Sequence, residues 1–283
     1  MNDSYRISFK QLRQENLKDT FVSFERALVA LDIDFYLIGA IARDIWFAQK
    51  GIRALGTKDV DLAVLISDKD KYFHLKNFLI DKEGFAASTS NEYVLFDKKG
   101  NQIDLIPFGA IEIEGKKILD KEGLVHTHLS GFKEVYHAAI AEVKFENKFT
   151  FKVSSLAGIV LLKLIAFDDR PEMRTKDIQD IGLILKNYFD LETEVIYANH
   201  TDLFEEESSL ELVAARVLGR EMRKILNQNP LLKERVFLIL NENIQSPETS
   251  TIGRLLINTF KFDSIEQAVK IIEEMIKGIK DPI

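Results

Sequence analysis

Two stretches of the sequence decide the fold: Phe35-Tyr-Leu-Ile-Gly-Ala40 and Asp59-Val-Asp-Leu-Ala-Val-Leu-Ile66. Each contains a short apolar run with the length and composition of a buried β-strand. Gly39 ends the first run, and residues 40–49 then have the apolar spacing of a helix. The sequence therefore predicts a strand, a turn at a glycine, a helix and a second strand that opens with two aspartates.

Helices and strands continue to alternate through the rest of the first half. Helical spacing and strand-like apolar runs follow one another, with glycine, asparagine or a Ser-Asp pair at the expected turns and helix starts. The predicted helices cover 17–31 and 69–81, and the predicted strands cover 94–97, 102–107 and a hairpin over 141–153.

The second half is predicted to be mainly helical, starting after an N-cap at Ser154. A strand–helix half followed by helices alone indicates an α+β protein, with a mixed β-sheet flanked by helices and then a helical domain. The expected domains are residues 1–150 and 151–283. The predicted helices of the second domain cover 155–167, 175–188, 210–227, 231–241 and 264–278.

Composition excludes several classes of protein. Of 283 residues, 38 are basic and 45 acidic, which gives a net charge of −7, and 46% are hydrophobic, too many for a disordered chain. The absence of cysteine excludes disulfides, thiolate catalysis and cysteine-ligated zinc. No apolar run is long enough to span a bilayer and no signal peptide is visible, so a cytoplasmic protein without a membrane partner is expected. Neither half is basic, which argues against broad electrostatic capture of nucleic acid.

Three carboxylates border or interrupt the predicted strands. Asp59 and Asp61 are two residues apart, so they project from the same face of a strand, and Asp104 lies inside the strand Gln102–Ile106. If the two strands are neighbours, the three side chains converge as a site for Mg²⁺ or Mn²⁺, suited to phosphoryl chemistry. The alternative is that an Asp-x-Asp pair stands by chance on an exposed strand.

Gly39 and Ala40 stand where the first strand gives way to a helix. Glycine allows the backbone to approach a phosphate closely, and a helix N-terminus offers amide N–H groups to an anion. The order strand, glycine, helix and Asp-x-Asp strand resembles the nucleotidyltransferase superfamily related to DNA polymerase beta. Within it, the chain is similar to the bacterial AbiEii-type nucleotidyltransferases, which include toxins of toxin–antitoxin systems. The matching residues are Gly39–Asp44, Arg53, Thr57–Leu62, Lys163–Ala166, Arg170 and Thr175–Asp180.

The resemblance implies that a nucleoside triphosphate (NTP) binds between the two domains and that a nucleotidyl group passes to an acceptor. Candidate acceptors are an RNA 3′ end, a protein hydroxyl and a small aminoglycoside-like molecule, and an antitoxin protein is a further expected partner. The catalytic candidates are Asp59, Asp61, Asp104 and Lys163, of which the three aspartates would hold the metal. The candidates for contact with the nucleotide are Gly39, Ala40, Arg43, Arg53, Thr57, Arg170 and Asp177.

Several alternatives stay open at this point. Lys163, the only charged residue between Val153 and Phe167, would either meet the triphosphate or form an ion pair with Asp177 or Asp180. The family usually has Gly or Ser at position 40, so Ala40 motivates a second hypothesis, a non-catalytic nucleotide- or partner-binding module. A glycosyltransferase with an Asp-x-Asp motif is the third. His126-Thr-His128 is expected in a loop or edge strand rather than in a metal site.

Overall fold

The computed structural model describes residues 5–53, 56–57, 59–110, 130–146, 148–204 and 209–282. A mixed β-sheet with helices is followed along the chain by helices alone, so the predicted α+β class is confirmed. The chain divides into two compact units, Met1–Tyr136 with Ile140–Ser155, and His137–Ala139 with Leu156–Ile283. No helix in the described ranges is both long and apolar enough to cross a bilayer.

The sheet of the first unit has eight strands within the described residues, in the order β1-β7-β8-β2-β3-β6-β5-β4. It is mixed, because β1 with β7, β2 with β8 and β3 with β6 pair in parallel whereas the other neighbours pair antiparallel. The strands are β1 (Tyr5–Ile7), β2 (Phe35–Leu37), β3 (Asp59–Leu65), β4 (Ala86–Ala87), β5 (Val94–Phe96), β6 (Gln102–Phe108), β7 (Ile140–Phe145) and β8 (Phe149–Ser154).

The central strand β3 owes its position to its apolar residues. Val60, Leu62 and Val64 are fully buried, and Ala63 on the opposite face is buried as well. A strand covered on both faces is typical of the middle of a sheet. The two aspartates at the start of β3 therefore lie where the strand emerges from the core.

Helices of the first unit pack apolar faces against this sheet. In α1, Phe21, Phe24 and Leu28 are buried at helical spacing, as the sequence predicts. α3 begins as predicted after Asp68, whose side chain accepts a hydrogen bond from the Lys71 amide at 2.8 Å. The helices are α1 (Lys18–Leu31), α2 (Gly39–Gln49), α3 (Lys69–Asp81) and α4 (Phe132–Ala138), the last of which ends in the second unit.

Within the described residues, the second unit consists of helices and their connections, without a β-strand. Its helices α8 and α11 approach so closely that their glycines are required: a Cβ on Gly278 would overlap the Arg216 carbonyl oxygen and lie 2.9 Å from the Arg220 nitrogen. The helices are α5 (Leu156–Asp169), α6 (Thr175–Leu191), α7 (Thr193–Asn199), α8 (Leu210–Leu226), α9 (Pro230–Gln245), α10 (Thr251–Phe260) and α11 (Ile265–Lys280).

Gly278→Ala is therefore expected to destabilise the protein by about 1–3 kcal/mol, because overpacking against backbone atoms forces the two helices apart. Alanine is otherwise the better helix former by about 1 kcal/mol. The matched control is Gly182→Ala, where the three atoms nearest the new Cβ all belong to the Thr259 side chain, at 3.0 Å, rather than to backbone. Urea unfolding measures both variants, and equal stabilities of the two would contradict this account of the helix contact.

The structure differs from the sequence prediction in the short elements. The short strands β1 and β4 and the helices α4, α7 and α10 were not predicted. Ser154 is the last residue of β8, and α5 begins only at Leu156, so the predicted N-cap at Ser154 is wrong. His126 and His128 lie outside the described residues.

Candidate active site

The turn after β2 is built around a close approach between Gly39 and Asp61. The Ile38 amide donates to the Asp61 carbonyl oxygen at 3.1 Å, which holds the end of β2 against β3. Gly39 has φ +65°, a conformation that favours glycine. A Cβ on Gly39 would lie 2.9 Å from Asp61 Cγ and would overlap Oδ2. The missing side chain therefore leaves the space in which the Asp61 carboxylate packs against the start of α2.

Three predicted metal ligands share one edge of the sheet. In the parallel pair of β3 and β6, Asp61 stands opposite Asp104, and Asp59 stands opposite Gln102. Asp59 and Asp61 project from one face because Val60 between them points into the core. The strand spacing and rise put the Cα atoms of Asp59 and Asp104 about 8 Å apart. This separation keeps a shared site for all three carboxylates tenable.

The donor set at this edge fits a hard divalent cation. Asp59 is exposed and Asp61 and Asp104 are half-buried, so all three carboxylates can reach solvent, and carboxylate oxygens are the ligands that Mg²⁺ prefers. Within the described ranges, however, no group of three or more His, Cys, Asp or Glu side chains is gathered around one ion position. Gln102 Nε2 donates to Asp104 Oδ1 at 2.9 Å, so a neighbouring amide helps to orient Asp104.

The start of α2 faces the same edge. The first intrahelical hydrogen bond is donated by the Ala42 amide to the Ile38 carbonyl at 3.4 Å. Gly39 and Ala40 are half-buried and stand in the first turn, whose amides a helix leaves available to an anion. Their predicted contact with phosphate stays a prediction, which this placement permits.

Arg43 is a buried residue of α2, with 2% of its surface exposed. Its Nε and Nη2 both donate to Asp44 Oδ1, at 2.9 and 2.7 Å, and Asp44 is fully buried. The other oxygen of Asp44 accepts from the Gly56 amide at 2.9 Å. The guanidinium thus takes part in an internal ion pair, and the phosphate contact of Arg43 stays a prediction.

Thr57, two residues before the start of β3, is held by a side chain from elsewhere in the first unit. Gln14 Nε2 donates to the Thr57 carbonyl at 2.6 Å, and Thr57 Oγ1 accepts from the Asp59 amide at 3.1 Å. Gln14 is buried. Arg53 is exposed, and its contact with a nucleotide stays a prediction.

In the second unit, Lys163 forms an ion pair with two carboxylates. Its Nζ lies 2.7 Å from Asp177 Oδ1 and 2.8 Å from Asp180 Oδ2, and its side chain is 11% exposed. Burial alone would lower the pKa of Lys163, but the charges and hydrogen bonds of Asp177 and Asp180 outweigh it and raise that pKa. The structure therefore has the ion pair that the sequence left open as an alternative to a triphosphate contact.

Two further predicted residues belong to this neighbourhood along the chain. Asp177 is also 3.5 Å from Arg174 through its other oxygen, so its carboxylate lies between two cations. Arg170 follows α5 and is half-buried, and its carbonyl accepts from the Met173 and Arg174 amides. Nucleotide contacts of Asp177 and Arg170 stay predictions.

Asp44, Gln14 and Gln102 are site-supporting residues that the sequence reasoning missed. A signal for Asp44 existed: Arg43-Asp44 is a charged pair inside the otherwise apolar run from Ile41 to Ala48. Buried charges require partners, so such a pair predicts an internal ion pair. Gln14 gave no comparable signal, because its partner Thr57 is 43 residues away in the sequence.

No protein-family model matches the chain, and no curated protein matches it. Among solved structures, the chain is similar to the solution structure of the antibiotic-resistance factor ANT(2'')-Ia, with a TM-score of 0.37 and 13% sequence identity. The alignment covers 68% of this chain and 97% of that one. The crystal structure of ANT(2'')-Ia with adenylyl-2''-tobramycin has a TM-score of 0.36 and 14% identity, covering 66% and 98%. The Thermotoga maritima CCA-adding enzyme complexed with tRNA has a TM-score of 0.33 and 16% identity, covering 96% and 71%.

Proposed function

We propose that the protein is a metal-dependent nucleotidyltransferase, which moves a nucleoside monophosphate from an NTP to an acceptor hydroxyl. The observation that supports this most strongly is the contact between Gly39 and the Asp61 carboxylate, with Asp104 beside Asp61 on the neighbouring strand. This contact brings the start of α2 and the Asp61 and Asp104 carboxylates close together, a combination that suits an anion and a divalent cation. A surface Asp-x-Asp pair without such a role would not require a glycine opposite it.

The chemistry follows from the charges at this edge. The acceptor oxygen attacks the α-phosphorus, the bond to the bridging oxygen breaks, and pyrophosphate leaves. The proton of the acceptor hydroxyl passes to a carboxylate, for which Asp104 is our candidate because it stands beside Asp61. Asp59, Asp61 and Asp104 would hold Mg²⁺ or Mn²⁺, which when bound offsets the charge of the phosphates. Positioning and charge neutralisation supply most of the catalysis in such reactions.

The finer assignments extend the same proposal. We assign the transfer chemistry to residues 1–150 and a helical domain to 151–283, and we place the chain with the AbiEii-type nucleotidyltransferases. The acceptor would be an RNA 3′ end, a protein hydroxyl or a small molecule, and a toxin would have an antitoxin partner. Growth arrest on expression, abolished by Asp61→Asn, would support the toxin assignment, whereas equal arrest by both proteins would contradict it.

The proposal is tested by transfer of α-labelled ATP, CTP, GTP and UTP to the components of a cell lysate. Asp59→Asn and Asp61→Asn are each expected to reduce labelling at least about 100-fold, because removing one charge-stabilising group typically costs that much. The matched control is Asp34→Asn, at the other end of β2, where Asp34 pairs with Lys152. Equal labelling by the wild type and both site variants would overturn the proposal.

A non-catalytic nucleotide-binding module is the second candidate, favoured by Ala40 in place of the usual Gly or Ser. It predicts that calorimetry detects NTP binding to the wild type, that Asp61→Asn weakens it, and that no acceptor is ever labelled. The Ala40→Ser variant discriminates between the two candidates. A gain of transfer in Ala40→Ser, from none in the wild type, would support the non-catalytic module.

A further inference from the structure

Gly56 and Thr57, here called the anchored segment, come before β3, and three hydrogen bonds hold them and Asp59 at the start of the strand. Asp44 Oδ2 accepts from the Gly56 amide, Gln14 Nε2 donates to the Thr57 carbonyl, and Thr57 Oγ1 accepts from the Asp59 amide, at 2.9, 2.6 and 3.1 Å. Two of these groups, Asp44 and Gln14, are buried side chains from α2 and from the segment before α1. The anchors end directly on the first of the proposed metal ligands.

Asp44, which accepts the Gly56 hydrogen bond, belongs to a buried ion pair with Arg43. Burying two charges costs more desolvation free energy than burying apolar side chains. Arg43 and Asp44 have side chains 3% and 0% exposed, and a buried ion pair is often no more stable than apolar residues of the same volume. The advantage of the ion pair is that it constrains the orientation of the Asp44 carboxylate. Asp44 uses Oδ1 for the guanidinium and Oδ2 for the Gly56 amide, so the ion pair fixes the orientation of the carboxylate that holds the segment.

The anchored segment restrains the backbone at Asp59. Gly56 has φ +75° and Thr57 is half-buried, while Asp59 itself is exposed. Asp59 pairs with Gln102 of β6 at the first position of the strand, where the ladder has no preceding pair to support it. The hydrogen bond from the Asp59 amide to Thr57 Oγ1 adds a restraint on the other side, and Gln14 and Asp44 hold Thr57 and Gly56 in turn.

We infer that Asp44, held by Arg43, is a positioning residue that acts through Gly56 and Thr57 to fix the backbone from which the Asp59 carboxylate projects at the edge of the sheet. This inference rests on the proposed function, because it gives Asp59 a metal to bind. Groups that orient metal ligands in this way commonly contribute 10–100-fold to metal affinity or activity.

The experiment compares the wild type with Thr57→Val, Asp44→Asn and the control Asp34→Asn. Thr57→Val keeps the shape of the side chain and removes only the acceptor of the Asp59 amide. Asp44→Asn replaces one of the two carboxylate oxygens by an NH2 group, which would face a donor, either the Arg43 guanidinium or the Gly56 amide. The measurements are amide hydrogen exchange at Gly56 and Asp59, the dissociation constant of Mn²⁺ by paramagnetic resonance, and kcat and KM for transfer from NTP.

Thr57→Val is expected to speed hydrogen exchange at the Asp59 amide, and Asp44→Asn at the Gly56 amide. Both variants are expected to weaken Mn²⁺ binding about 10-fold and to lower kcat more than they raise KM. Asp34→Asn should change none of these. Faster exchange with unchanged Mn²⁺ affinity in both site variants would overturn the inference and leave the anchors a structural role. If the wild type transfers no label, the proposed function fails, and the Mn²⁺ and exchange measurements still decide the positioning role.

Discussion

Replacing Gly39 by alanine is expected to lower nucleotidyl transfer about 100-fold, because a misplacement of about 1 Å at a reacting centre can cost that much. The new Cβ would lie 2.9 Å from Asp61 Cγ and overlap its Oδ2. The carboxylate can escape by rotating, so the loss of stability should be modest, about 1–2 kcal/mol, mostly from the left-handed conformation at φ +65°. Kinetics and urea unfolding of one preparation measure the two effects separately.

Gly51→Ala is the matched control for this variant. Gly51 has φ +71° just after the end of α2, and a Cβ there would meet nothing within 4 Å. The two variants therefore share the backbone strain and differ in the collision with Asp61. We expect the two variants to lose similar amounts of stability and only Gly51→Ala to retain nucleotidyl transfer. Equal transfer by Gly39→Ala and Gly51→Ala would show that the contact with Asp61 has no part in the reaction.

Lys163→Met is expected to lower the free energy of unfolding by about 3–5 kcal/mol, because removing one partner of a buried ion pair leaves the opposite charge uncompensated. Here two carboxylates, Asp177 and Asp180, would lose their shared cation. Lys186→Met is the control, since Lys186 is an exposed lysine of α6 and should change stability by no more than about 0.5 kcal/mol. Urea unfolding at neutral pH gives both values.

The pH dependence of this difference follows from the raised pKa of Lys163, which burial would lower but Asp177 and Asp180 raise. A lysine whose pKa is raised in the folded state contributes its full share of the free energy of unfolding below its unfolded-state pKa, about 10.4. This contribution disappears as the pH rises through the higher pKa of the folded state. The gap between wild type and Lys163→Met should therefore be constant from about pH 7 to 9 and shrink in strongly alkaline solution. A gap that shrinks already below pH 9 would contradict the observed ion pair.

The sequence allowed much of the sheet edge to be predicted because its signals are local. An apolar run that ends in Gly39 and another that opens with Asp59 and Asp61 specify strand, turn and side-chain direction within a few residues. The i and i+2 rule gave a common face for the two aspartates, and the register of β3 with β6 places Asp104 opposite Asp61. What could be read from spacing along one strand was therefore predicted.

The supporting contacts could not be predicted because they join distant residues. The hydrogen bond between Gln14 and Thr57 joins residues that are 43 positions apart in the sequence. The helix α10, which buries Ile252 and Leu256, is too short for its apolar spacing to repeat often enough to be recognised. The partners of Lys163 illustrate a different limit. A lysine in an apolar helix predicts an anion, but periodicity does not reveal whether that anion is a carboxylate of the same chain or a phosphate.

The central claim is nucleotidyl transfer at the edge formed by Gly39, Asp61 and Asp104. It is tested most directly by comparing ATP labelled at the α-phosphorus with ATP labelled at the γ-phosphorus, in a lysate supplemented with Mg²⁺ and the purified protein. Labelling is measured above that of the same lysate without the purified protein. With ATP as the donor, we expect covalent acceptor labelling from the α-labelled nucleotide only, release of the γ label as pyrophosphate, and loss of both products in Asp61→Asn. Acceptor labelling from the γ-phosphorus above this background, or α labelling that persists undiminished in Asp61→Asn, would contradict the proposed transfer.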